Sequence, residues 1–514
     1  MKAARLAAIA TYLLCAAALG FRNPGLYYDE AIFFNAAVQV VNSGQEPTFA
    51  HDPWSWVTIA GRRWPVMVLP YIGPIRSYLA TIPFALFGPN YYTARILTAL
   101  LGAFGIWGFS VLIRDQIDPR TAAIVSFIPA IHPAYLTQTV HDHGGVVEWM
   151  VPFGLLSIAA ARYLRAPSMV SAFLLGASMG FGVWSRANFS WLVGSALLAA
   201  AIVLGREAFP RLRQLAALVA GGIVGGAPLL WYEIQSRGAT FEFLRSMADS
   251  KPLYDLAGYR LHMLSQTLLS DAEHREIWNG PPLPMWQAVL FSTVVATALY
   301  ICLRSRIKSG RFAALTFLLL AACMFSSQLN LREHHLISLV PIGALVVVIA
   351  AQEICRRWRN AVYVTGAIAI LYLFAAIQWN LTAATQLRAT GGVRWWSSAI
   401  DQVADYLERN CQDKKIKILD WGLSNNLFVL SNARIPPAEI FWGATVERSG
   451  SGKLWKDEIS PGDVYVLHAP TLVQNPEAAE GFRRALAAST LRIRRTPLLQ
   501  KTGAGYAEVV EILR

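Results

Sequence analysis

The sequence predicts a mostly α-helical, polytopic membrane protein: about eleven transmembrane helices, then a small α/β domain outside the hydrocarbon. Three observations carry that class. Only 15% of the 514 residues are charged and 55% are hydrophobic, where a soluble chain carries about 25% charged residues. The apolar residues come in nearly uncharged blocks of roughly 18–22, the helix length that crosses a bilayer core of about 30 Å. Lys and Arg gather in short clusters between those blocks, on alternate crossings, as the positive-inside rule requires. The net charge of +13 therefore marks sidedness rather than a nucleic-acid face, and no nucleic-acid partner is expected.

The elements follow in order. The N-terminal run carries Lys2 and Arg5 as a secretory signal would, but with so many later spans it reads as an uncleaved first helix, about 6–21, entering from the inside. A long polar, aromatic-rich stretch follows outside. Within it the segment 77–88 is apolar but only about 18 Å long as helix, and is expected to lie along the outer surface. Further spans are expected near 92–113, 120–139, 146–164, 169–185, 187–204, 214–232, 285–303, 312–328, 335–353 and 361–380. With that count Arg114 to Arg120, Arg162/Arg165, Arg206/Arg211/Arg213, Arg304/Arg306/Lys308/Arg311 and Arg356/Arg357/Arg359 all share the side of Lys2 and Arg5. Residues 1–390 thus form a membrane domain with outer loops near 22–91, 140–145, 233–284 and 329–335.

From 394 to 514 the character changes. Short β-rich runs (Lys415 to Asp420, Asp463 to His468, Tyr506 to Leu513) alternate with amphipathic helical patterns (Trp395 to Arg409, Glu477 to Ala488), predicting an α/β domain on the outer side. Cys15, Cys302, Cys323 and Cys355 lie in or beside spans and Cys411 stands alone in the tail, so neither a disulfide framework nor a CxxC zinc site is expected.

Chemistry is sought where ionisable residues meet the outer membrane surface. In Tyr27-Tyr28-Asp29-Glu30-Ala31-Ile32-Phe33-Phe34 a carboxylate pair opens an amphipathic helix reaching about Val41. Acids at a helix start serve as ordinary caps, yet an apolar collar around two charges also suits a catalytic acid or base. A second group is His141-Asp142-His143-Gly144-Gly145, with Glu148 one turn on. Ionisable groups at membrane depth cost about 2.5–3.5 kcal/mol each, so the group is either a solvated loop or a site. Metal ligation by His141 and His143 is disfavoured because such close neighbours point apart, and His262 is a weak further candidate; no cofactor is fixed, and a divalent cation is left open. Arg95, Arg186 and Arg332, with His334 and His335, fall on the side opposite the basic clusters. They either snorkel to headgroups or pair with Asp29, Glu30, Asp142 or a phosphate. Arg260, His262, Asp271, Glu273, His274 and Arg275 show no interpretable spacing. No Walker, Rossmann or Gly-x-Ser-x-Gly motif is present, so nucleotide-driven work is not expected.

These residues resemble the GT-C superfamily of membrane glycosyltransferases, and more closely the lipid A aminoarabinose transferases and bacterial protein O-mannosyltransferase-like enzymes (glycosyltransferase families 39 and 83). The likeness lies in Tyr28-Asp29-Glu30 after one span, Gly73-Pro74-Ile75-Arg76-Ser77-Tyr78, Leu86-Phe87-Gly88-Pro89-Asn90, Ala94-Arg95-Ile96-Leu97, Asp142, Arg186 and Arg332 to His335. It covers nearly the whole chain in layout, and order and sidedness carry more weight than any one motif.

The resemblance implies a polyprenyl-phosphate sugar as donor, used at the outer face of a bacterial inner membrane, with membrane lipids as surroundings and an envelope glycan, lipid or protein as acceptor. Asp29, beside Glu30, would be the base and Asp142 its support. Arg95, Arg186, Arg332 and His335 would hold the donor phosphate. The aminoarabinose enzymes carry a phosphate-contacting Lys just before the Pro-Ile, where this chain has Gly73; Arg76, one turn on, is the candidate substitute, and the sugar is not assigned. A transporter or lipid flippase is the alternative, but its charges should lie near the midplane between repeated halves, and no repeat is visible.

Overall fold

The computed structural model describes residues 2–42, 53–142, 144–208, 210–248, 253–269, 277–281, 284–326, 332–441 and 459–513. Helix α1 (Lys2–Leu19) is followed by α2 (Tyr28–Val41), a β1–β2 hairpin (Trp56–Ile59, Arg62–Pro65), the short α3 (Ile75–Phe87) and the long α4 (Tyr91–Gln116). Then come α5 (Pro119–Ile131), α6 (Pro133–Val140), α7 (Val147–Arg165), α8 (Met169–Ser185), α9 (Phe189–Leu204), α10 (Leu212–Ser236), α11 (Ala239–Ser246) and α12 (Leu253–Leu269). The bundle closes with α13 (Met285–Arg304), α14 (Lys308–Ser326), the turn α15 (Glu333–Leu336), α16 (Leu339–Arg357) and α17 (Ala361–Thr390).

Among the described residues eight of these helices are long and apolar enough to cross a membrane. With α5–α6, α7 and α8 they make up the eleven expected segments. The 13 residues of α3 span about 20 Å as helix, too short for a full crossing.

Local chemistry sets the boundaries. Asn90 caps α4, accepting from Tyr92 N and Thr93 N, and Asp118 caps α5 with Pro119 at its first turn. The apolar run 120–139, expected as one span, is two helices. Pro133 brings no N–H and its ring obstructs the preceding turn, so the chain stops at His132 and restarts with His132 as cap. Between α8 and α10 the backbones nearly touch: a Cβ on Gly221 would lie 2.0 Å from Phe173 O, and one on Gly176 would lie 1.8 Å from Leu218 O. Lipid tails supply no hydrophobic drive for helix pairing, so close van der Waals contact through small residues holds this pair.

The tail folds on a five-stranded sheet in the order β4–β3–β5–β7–β6. Strand β3 (Ile416–Ile418) runs parallel to β4 (Ala438–Glu439) and β5 (Val464–His468), while β7 (Gly505–Ile512) is antiparallel to β5 and β6 (Ile493–Leu499). Helices α18 (Ala399–Asn410) and α20 (Pro476–Ala487) bury Ile400, Val403, Leu407 and Phe482 with Ile418, Val466 and Val509. Helix α19 (Ser424–Leu430) bridges two cores: Leu427 joins the sheet's core, while Phe428 and Val429 join Phe34, Val38 and Phe84 of α2 and α3 in another. The C-terminal domain is therefore built against the first loop.

Candidate active site

The site lies at the end of the bundle away from the cluster formed by Arg5, Arg114, Asp115 and Arg165. Its first component is the start of α2. No side chain caps this helix, and Tyr27 precedes it in extended backbone. The adjacent carboxylates have opposite fates. Glu30 is fully buried and receives Arg95 at 2.8 Å on each oxygen; Asp29 is half-buried.

The remaining hydrogens of Arg95 go to Phe21 O (3.0 Å), Pro24 O (2.8 Å) and Gly25 O (3.1 Å). All five guanidinium N–H groups are thus used. This corrects two expectations. Arg95 has no donor left for a phosphate, and Glu30 is fully buried in an ion pair with Arg95.

Arg76 holds the second component together. From the first turn of α3 its Nε donates to Glu148 Oε1 at 2.8 Å and its Nη2 to Glu148 Oε2 at 3.2 Å, while Nη1 forms an ion pair with Asp142. Its guanidinium lies 4.3 Å from the Phe33 ring centre. Asp142 is buried at a positive φ of 36° and accepts from Val147 N at 2.9 Å, which fixes the tight turn between α6 and α7. Two carboxylates neutralise Arg76, so it does not supply the cation that the missing lysine leaves vacant.

Nor is there room at Gly73 for that lysine. A Cβ there would sit 2.7 Å from Trp184 O, because Gly73 N donates to Ser185 O and binds the loop to the α8–α9 corner.

Arg186, at that corner, differs from the other two. It is 2% exposed and its Nη1 donates to Gly145 O at 2.9 Å, but its Nε has no hydrogen-bond partner among the described residues. Burial pushes its pKa down, opposed by Tyr71, Glu148 and Asp142. Burial likewise raises the Tyr71 hydroxyl; Arg186 pulls it down and Asp29 pushes it up. Tyr71 lies beside Arg186, because Ala187 N donates to Tyr71 O at 3.0 Å and Ile72 bridges to Arg186.

His334 joins them from α15: a Cβ on Gly144 would lie 2.4 Å from its Nε2. His335 instead accepts from Arg332 N at 3.0 Å and caps that turn, while Arg332 is exposed. His141 is buried at the end of α6 and His262 is exposed on α12; His143, Asp271, Glu273, His274 and Arg275 lie outside the described residues. Among the described residues no group of three or more His, Cys, Asp or Glu is placed to hold a metal. Sequence reasoning missed Tyr71 and the central place of Glu148. The only signals were Tyr71 just ahead of the Gly73-Pro74-Ile75-Arg76 motif and Glu148 one turn beyond Asp142.

The site thus combines a half-buried carboxylate with a buried guanidinium whose Nε has no partner among the described residues, on a multi-span bundle that carries a terminal α/β domain. The chain is similar to the aminoarabinose transferase ArnT from Cupriavidus metallidurans, in its apo form and bound to undecaprenyl phosphate. Each match has a TM-score of 0.63 and 14% identity, and covers 98% of this chain and 97% of that one. It is also similar to the archaeal oligosaccharyltransferase AglB from Archaeoglobus fulgidus, in complex with an inhibitory peptide and a dolichol-phosphate. There the TM-score is 0.51 at 16% identity, covering 98% of this chain and 74% of that one. At such identities the likeness is one of fold. No family model matches the sequence, and no curated protein does.

Proposed function

We propose that this protein is a glycosyltransferase moving a hexose or pentose from a polyprenyl-phosphate-linked donor to an acceptor hydroxyl at the outer face of a bacterial inner membrane. The reading is supported by Asp29, half-exposed at the start of α2, and Arg186, whose Nε has no partner among the described residues, lying to either side of the segment 71–72, which pairs with the α8–α9 corner and whose Tyr71 hydroxyl both charges influence. In this reading Asp29 takes the proton from the acceptor hydroxyl as the oxygen attacks the anomeric carbon. The bond from that carbon to the phosphate oxygen breaks, and the lipid phosphate leaves as an anion held by Arg186, with Arg332 and His335 near the entrance. A positioned base contributes about 10²–10⁴-fold, and a fixed guanidinium stabilises charge that develops only as the bond breaks.

Asp142 and Glu148 support the reaction by fixing Arg76 and the α6–α7 turn. Asp29 is the carboxylate this reading leaves for substrate, so the displacement is a single step and inverts the anomeric configuration. Because Trp184 O occupies the place beside Gly73, the donor head group is one that needs no lysine there, and aminoarabinose is disfavoured. The N-terminus would then be cytoplasmic and the C-terminal domain periplasmic.

The test is reconstitution in liposomes with a panel of polyprenyl-phosphate sugars, joined to mass spectrometry of envelope glycans, lipids and proteins from a deletion strain. Release of polyprenyl phosphate with an inverted glycoside on an acceptor missing from the deletion strain is expected. Solute uptake by the proteoliposomes without any glycosylated product would replace this function with transport.

A further inference from the structure

The side chain proposed as base stands between two pinned neighbours. On one side Glu30 is held from the membrane domain by Arg95. On the other, Tyr27 and Tyr28 are held from the C-terminal domain. The Tyr27 ring is stacked on Trp396 at 3.9 Å with 10° between planes, and Trp421 meets the same ring edge-on at 6.1 Å. The Tyr28 ring lies 4.7 Å from Trp421, and its hydroxyl donates to Glu439 Oε1 at 2.9 Å, an oxygen that also receives Ser424 Oγ.

Behind Trp421 the loop is locked. Asp420, fully buried, accepts from Trp421 N (3.0 Å), Asn475 N (2.9 Å) and His468 Nδ1 (2.9 Å), binding the end of β3 to the segment after β5. Approach is close throughout: Gly25 N donates to Trp396 O at 2.8 Å, and a Cβ on Gly25 would lie 2.2 Å from Ser397 O. Farther along α2, Asn35 donates to Asn425 Oδ1 at 2.5 Å.

We infer that the C-terminal domain sets the working position of Asp29, with Glu439 and Trp421 as positioning residues acting through Tyr28. This rests on the reading of Asp29 as the base. The first turn of α2 has no side-chain cap, so the angle at which Asp29 enters the site is fixed by its neighbours. A carboxylate must reach its proton within hydrogen-bond distance, and a displacement of about 1 Å costs up to roughly 10²-fold in rate. Burial and the nearby Glu439 carboxylate both raise the Tyr28 hydroxyl's pKa, so it remains a donor to Glu439 at every working pH. The domain is thus part of the catalytic apparatus without touching substrate.

The test uses the full-length protein in membranes, with Tyr28→Phe, Glu439→Ala, the double variant and Glu439→Gln. Tyr28→Phe keeps the ring against Trp421 and so preserves folding. Two readouts are taken: steady-state transfer, and labelling of Asp29 by a hydrophobic carbodiimide, quantified by mass spectrometry and needing no turnover. Each single variant is expected to lower kcat by about tenfold with KM for the lipid donor within about twofold, and to change Asp29 labelling by about threefold or more. The double variant should match Glu439→Ala, because that change already removes the Tyr28 contact along with the one from Ser424. Glu439→Gln, which keeps an acceptor oxygen, should restore most of the rate.

Wild-type labelling and kcat in Tyr28→Phe would overturn the inference, as would losses that multiply in the double variant or that track a fall in Tm. If the wild-type protein transfers no sugar from any donor, the proposed function falls by that result, and labelling alone decides whether the domain positions Asp29.

Discussion

Replacing Arg95 by Met separates a structural arginine from a phosphate-binding one. The change strands Glu30, which has no solvent exposure, and removes the donors to Phe21 O, Pro24 O and Gly25 O. Breaking a buried ion pair from one side costs about 3–5 kcal/mol, and each buried acceptor left unpaired costs about 1–3 kcal/mol more. Against a total stability of about 5–15 kcal/mol, the single variant should fold poorly or not at all. Removing Glu30 as well, as Arg95→Met with Glu30→Leu, deletes the stranded charge; an apolar pair of similar volume is often neutral beside a buried ion pair. The double variant should then recover roughly a third to a half of the lost stability, keeping only the cost of the carbonyls. Thermal unfolding in detergent of wild type, both singles and the double gives the cycle. If Arg95→Met unfolds at the wild-type temperature and only raises KM for the donor, Arg95 is a ligand for phosphate after all.

Other outcomes follow from the same geometry. Gly221→Leu, whose Cβ would meet Phe173 O at 2.0 Å, should abolish the folded bundle in detergent chromatography. Gly194→Leu, with nothing within 4 Å of its Cβ, should leave it intact. Arg186→Met should raise KM for the lipid donor by about 10–100-fold, the worth of a charge-assisted hydrogen bond, with little change in Tm because no carboxylate among the described residues is ion-paired to it.

Burial alone would raise the Glu511 carboxyl, but hydrogen bonds from Lys414 (2.5 Å) and Tyr406 (2.7 Å) hold it below its ordinary 4.5. Its folded-state pKa is therefore depressed, so its stabilisation is complete above that ordinary value and is lost as the pH falls through the lower one. Glu511→Gln should flatten the acid-side decline of Tm below pH 4.5; an unchanged decline would refute the assignment.

Much of this was open to sequence reasoning, for physical reasons. Span length is set by bilayer thickness, so α4, α9, α10, α13, α14, α16 and α17 stand out as uncharged blocks. The helix after Tyr27 is marked by acids in its first turn and a collar of rings. What stayed hidden depends on contacts between distant residues. Arg76, Arg95 and Arg186 look alike as lone arginines, yet one is held by two carboxylates, one is saturated by Glu30 and three carbonyls, and one keeps a donor with no partner among the described residues. Partners 65 and 72 positions apart leave no periodicity to read.

Strand β6 was hidden by Arg494, Arg495 and Pro497, which are tolerated because β6 is at the sheet's edge. The β1–β2 hairpin depends on positive φ at Ala60 and Gly61, a demand that only glycine announces. Trp421 and Glu439 give no local sign of acting on a helix near the opposite end of the chain.

The central claim is that of two adjacent carboxylates, one does chemistry and the other holds the fold. Transfer from a radiolabelled polyprenyl-phosphate sugar, measured in single turnover for Asp29→Asn beside wild type, tests it most directly. The account predicts a loss of about 10²-fold or more with donor binding and Tm retained. Transfer at the wild-type rate by a folded Asp29→Asn protein would contradict it.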